Sequence, residues 1–168
     1  FINVKNLYSF LDNNIFKIEK LAEKFIKNVF LIIETNKNLL LDIGIKKKYY
    51  ENSINQKNLE NTLVEVKDLF IENYHEQIIM HMVINSYLIN GKKYLTFPND
   101  LNSDHLCLEI NFTSISNELT LVLDKILEKY QIKISQYLNA SYLKDFFKDP
   151  YNYDKSFDSY KNLYNHIK

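Results

Sequence analysis

The chain has 168 residues, 46% hydrophobic and 25% charged, with 21 basic and 21 acidic residues and therefore no net charge. That length suffices for one self-contained domain burying roughly two thirds of its unfolded surface, and the apolar content excludes a chain too polar to collapse. All the basic residues are lysine, so the chain has neither a global field nor the guanidinium forks that grip phosphates, and no nucleic-acid role is expected.

Phe1–Val4 reads as a short strand, after which Leu7, Leu11, Ile15, Ile18, Ala22 and Phe25 recur at the spacing of one helical face and predict a helix from Asn6 to Lys27. The stretch NVFLIIE from Asn28 has no polar break, as in a strand buried on both faces. LLLDIGI follows after the turn-forming TNKN, and the two are expected to pair as a hairpin. KKKYYENSINQKN reads as a polar connection, with Lys46 to Tyr50 a solvated turn in preference to an anion patch. Leu59, Leu63, Val66 and Phe70 mark a second helical face that Asn55 or Ser53 would cap.

A long apolar strand from Ile78 then ends at Asn90-Gly91, a structural turn whose residues tolerate positive φ. From there KKYLTFPNDLNSD, too long for a tight two-residue hairpin, leads back to an antiparallel partner in which Leu106, Leu108, Ile110 and Phe112 alternate with Cys107, Glu109 and Asn111. Residues of TSISNE offer hydroxyl caps for a third helix, striped by Ile115, Leu119, Val122, Ile126, Leu127 and Tyr130, and IKISQYL is the last strand. The reading is an α+β domain over residues 1–147, in the order β-α-β-β-α-β-β-α-β, with amphipathic helices on one face of a mostly antiparallel sheet. Residues 148–168 form a polar aromatic tail in which Phe157, Tyr160, Leu163, Tyr164 and Ile167 share one helical face.

Chemistry is sparse. The histidines His75, His81, His105 and His166 lack the spacing of a helical metal site; His81 and His105 are expected to face one another across the strand pair as ordinary hydrogen-bonding groups. Only Gly44 and Gly91 are present, so no glycine-rich loop can bring backbone amides to a phosphate. Cys107 reads as a packed thiol, and no residue is assigned to catalysis, a cofactor or a metal. Alternation puts Ile110 on the covered face and Glu109 on the other, which makes Cys107, Glu109 and Asn111 the candidates for contact with a partner. One cysteine, no run of ~18 apolar residues and no leader-like start imply a cytoplasmic protein, and a first residue Phe1 in place of Met reads as an excised fragment.

His81, Tyr87 and Asn90-Gly91, with Pro98 in the following loop and HLCLEINFT ending at Thr113, resemble the inserted interaction subdomain of the bacterial actin-like cell-division protein FtsA. That family has His-x-x-Pro-x-x-Tyr/Phe-x-x-Asp-Gly there; Ile84 stands for the proline, Asn90 for the aspartate, and Asn111 where a histidine is usual. Residues 1–34 are similar to the family's strand, long helix with a late Ala-Glu, and strand, and ILEKYQIKISQYLNAS is similar to its closing helix, strand and Ala-Ser exit. Its Leu-x-Pro is replaced by Tyr137-Leu138-Asn139, and the phosphate loop that follows in the family has no counterpart here.

The resemblance implies a non-catalytic protein–protein interaction module, contributing to self-assembly and to recruitment of division proteins at the septal ring. It would work without a cofactor, at the inner face of the cell membrane, reached through the parent protein. It also implies that Phe1–Val4 and Ile132–Leu138 lie in neighbouring strands, because an inserted unit leaves its host near where it entered. The related pilus-assembly family PilM has a similar insertion, and a stand-alone small-ligand-binding α+β domain is the reading from another class.

Overall fold

The computed structural model describes residues 4–49, 55–98, 103 and 105–148. It is a mixed α+β fold, in the order α1 (Val4–Ala22), β1 (Asn28–Ile33), β2 (Leu39–Lys48), α2 (Gln56–Asn73), β3 (Gln77–Ile89), β4 (Lys92–Tyr94), β5 (His105–Ser116), α3 (Asn117–Glu128), β6 (Lys133–Asn139) and α4 (Ala140–Lys148). The expected opening strand falls on residues outside the described set except for Val4, which is helical, so its placement beside β6 is not visible. Two elements go beyond the expected order, the short β4 and the closing α4.

The strands form two sheets, an antiparallel one of order β2-β5-β3-β4 and a parallel pair β1-β6. The expected β1–β2 hairpin is therefore absent: the turn-like TNKN carries the chain from one sheet to the other, and β2 pairs with β5 instead. β3 and β5 do pair antiparallel. Asn90 and Gly91, at φ 51° and 75°, join β3 to β4 as a tight two-residue turn, with Ile89 opposite Lys92, so the return to β5 starts only after this small hairpin.

Helix α2 covers the antiparallel sheet. Asn55 is its cap, accepting the Asn58 N–H at 2.9 Å, and Leu59, Thr62, Val66 and Phe70 are buried. They pack on Met82, Tyr87, Ile89, Leu106, Leu108, Ile110 and Phe112, with the Phe70 ring stacked on Phe112 at 4.6 Å. Thr62 is tolerated in this core because its hydroxyl bonds the Asn58 carbonyl and the Tyr49 hydroxyl. Lys46, Lys47 and Lys48 belong to β2 and not to a turn.

Helix α1 packs elsewhere, beside the parallel pair, and α3 packs on that pair and on the ends of β3 and β5. Leu11 and Ile15 meet Ile126, Leu127 and Ile132, while Leu123 meets Ile33, Met80 and Ile115. α2 thus covers the antiparallel sheet alone, while α3 bridges its end and the parallel pair. α1 ends at Ala22, short of the expected Lys27, because Glu23 turns into the left-handed region at φ 53°, with Glu23 N–H bonded to Lys20 O and Lys24 N–H to Glu19 O. α3 ends in the same way, with Gln131 at φ 59° and Ile132 N–H bonded to Leu127 O. Its buried face runs through Thr120, Leu123, Ile126 and Leu127; Val122, expected in the stripe, is exposed, and Ile115 belongs to β5.

Candidate interaction face

β5 is flanked by β2 and β3, and its alternation separates two surfaces. Leu106, Leu108, Ile110 and Phe112 point into the core at 0–1% exposure, whereas His105, Cys107, Glu109, Asn111 and Thr113 point away from α2. Cys107, Glu109 and Asn111 therefore stand in one row, as the alternation implies. Register sets Lys46, Gly44 and Asp42 of β2 beside them on one side, and Leu88, Ser86 and Val83 of β3 on the other. His81 and His105 do not meet: His81 is opposite Thr113, and His105 is opposite Lys48. Asn90 and Gly91 lie apart from the row, at the end of β3, where Asn90 Oδ1 accepts the Ser103 hydroxyl at 2.9 Å.

Four side chains of this face and one from β4 are engaged with one another: Asn111 with Asp42, and Glu109 with Ser86 and with Lys93 of β4. Asn111 Nδ2 donates to Asp42 Oδ1 at 2.9 Å. Glu109 accepts from Lys93 Nζ at 2.8 Å and from the buried Ser86 hydroxyl. Those two hydrogen bonds, the Lys93 bond foremost, together with the positive charge of Lys93, hold the Glu109 carboxyl below the usual carboxylate range. It therefore presents a fixed negative charge. Next to it a shallow depression of about 240 Å³ lies over Gly44, walled by Leu88, Cys107, Lys46 and Glu109.

One end of the face is closed. The Asn139 N–H donates to His81 Nε2 at 2.8 Å, and the Tyr142 ring stacks on the His81 ring at 4.2 Å, while Asn139 Oδ1 accepts the Tyr142 N–H and so starts α4. An acceptor at Nε2 puts the proton of the neutral ring on Nδ1. Burial disfavours the imidazolium and lowers the His81 pKa to about 4. The sequence reading missed this junction, together with Asp42, Ser86, Leu88 and Lys93. Strand alternation names the residues of a face but not their neighbours, which depend on register across segments far apart in the chain.

Among the described residues no group of three or more His, Cys, Asp or Glu side chains is placed to hold a metal ion, and no helix is long and apolar enough to cross a membrane. No protein-family model matches the chain, and no curated protein matches it.

Proposed function

We propose that the chain is a non-catalytic interaction module of an FtsA-like cell-division protein, and that the open face of the antiparallel sheet, centred on Cys107, Glu109 and Asn111, is its contact surface for other division proteins. The observation that carries the reading is the parallel pair. β1 runs directly into the antiparallel unit and β6 follows it through α3, in adjacent parallel strands with Ile33 opposite Asn139. The chain leaves the pair at Ile33 and re-enters it at Lys133, beside Asn28 at the other end of β1, so the antiparallel unit and α3 lie between two strands of one pair, which supports reading them as an insertion. Phe30 and Ile32, on the outer side of β1, are each 58% exposed. Parallel strands are ordinarily covered on both faces and two strands are seldom self-sufficient, so this pair has the character of strands continuing into a larger host sheet.

A two-hybrid screen of the chain against the cytoplasmic segments of division proteins from its own source tests the proposal. Association with at least one of them is expected, lost in Glu109→Lys or Asn111→Lys variants that remain folded. No association with any division protein, or association indifferent to both substitutions, would overturn it.

A further inference from the structure

Strand β2 is an edge: among the described residues it bonds only to β5, and its other side is unpaired over Leu39–Lys48. Three lysines at one end of an edge strand ordinarily repel a second strand. Here Lys47 is paired with Glu65 of α2, and Lys46 has a match on the strand itself. Asp42, Gly44 and Lys46 follow one another on the open face, and Asp42 and Lys46 are equally distant from Gly44. We propose that β2 pairs antiparallel with β2 of a second copy about a two-fold axis at Gly44, joining two antiparallel sheets into one of eight strands.

In that register Asp42 of each copy lies opposite Lys46 of the other, giving two symmetry-related ion pairs. On the α2 side Ile43 lies opposite Ile45 of the other copy; both are only half-buried in the single chain, and the second strand removes their remaining surface from water. A parallel in-register pairing would set Lys46, Lys47 and Lys48 against themselves. An antiparallel pairing centred on Ile43 would set Asp42 against Gly44 and lose the charge match. The pattern therefore favours one arrangement and penalises its competitors.

Gly44 adds a separate reason. Its φ lies outside the positive range and a Cβ there would meet nothing within 4 Å, so nothing in the single chain demands glycine, which weakens a strand. At a two-fold axis any side chain meets its own copy, and glycine removes that contact.

The proposal deepens the reading above by naming the self-contact of the module. The experiment separates the two: division-protein association is read through Glu109, and self-pairing through Asp42 and Lys46. Sedimentation equilibrium of the 168-residue chain is expected to show a monomer–dimer equilibrium at ~100 µM that weakens with added salt. Asp42→Lys sets lysine against Lys46, and Lys46→Asp sets aspartate against Asp42, so each variant alone is expected to dimerise at least about tenfold more weakly. Mixed in equal amounts, the two variants restore both ion pairs and are expected to form a heterodimer near the original affinity. Circular dichroism checks that each is folded. Lys46→Asp leaves the Asn111–Asp42 bond intact and carries the test by itself if Asp42→Lys does not fold. A wild-type chain that stays monomeric at ~100 µM, single variants that dimerise as tightly as wild type, or a mixture that stays monomeric would each overturn the proposal.

Discussion

His81 is the side chain whose environment departs furthest from its appearance in the sequence. It is 4% exposed, bonded at Nε2 and stacked under Tyr142, with its pKa lowered from 6.5 to about 4. A depressed histidine pKa means that the unfolded chain binds the extra proton first. Its contribution is therefore complete above pH 6.5, is lost as the pH falls from there toward 4, and changes no further below, with a total on the order of 3 kcal/mol. Urea melts across that window are expected to show the decline, and His81→Gln is expected to flatten it. At the neighbouring row, Ile110→Asp is expected to abolish the folded circular-dichroism signal, because an unpaired carboxylate at a 0% exposed site costs several kcal/mol, comparable with the stability of a small domain. Glu109→Lys is expected to keep that signal, since Glu109 stands on the open face. Equal loss in both variants would show that the second face is covered. The opposite fates of Ile110 and Glu109 were legible from alternation alone; the burial of His81 was not, because the residues that cover it begin 58 positions later.

At the scale of elements, strong periodicity located α2, β3 and β5 well, and the cap Asn55 was legible too. Helix ends were harder. α1 and α3 each stop in a left-handed residue that is not glycine, Glu23 and Gln131, so the usual punctuation is missing from the sequence. In both places the bend directs the chain into a parallel strand, and Lys133 N–H bonds Lys27 O at the start of the pair. A side chain in that conformation costs about 1 kcal/mol that glycine avoids. Gln131→Gly is accordingly expected to raise the unfolding free energy in a urea titration by about 0.5 kcal/mol, the relieved strain less the extra flexibility of the unfolded chain. A lower value would show that Gln131 is held by contacts worth more than its strain.

Among the described residues the buried apolar side chains form three clusters, one under α2, one between α1, the end of α3 and Ile132, and one where Leu123 of α3 meets Ile33, Met80 and Ile115. The outer side of β1 leaves apolar surface uncovered at Phe30 and Ile32. Phe30→Ser with Ile32→Thr is expected to change the unfolding free energy little, roughly 1 kcal/mol or less, because both side chains are 58% exposed, while reducing aggregation measured by light scattering at high concentration. A large loss of stability would show that this side is packed in solution. The sequence by itself determined the α+β class, the division of β5 into a buried and an open row, and the turn at Asn90-Gly91. These rest on local periodicity and backbone preference, which neighbouring residues carry within a few positions. Only the tertiary structure decided that β1 leaves β2 for β6, that α3 bridges the two sheets, and that Asn139 and Tyr142 close over His81. Such pairings compare free energies of segments about a hundred residues apart, and in β1 the same unbroken apolar run satisfies either partner.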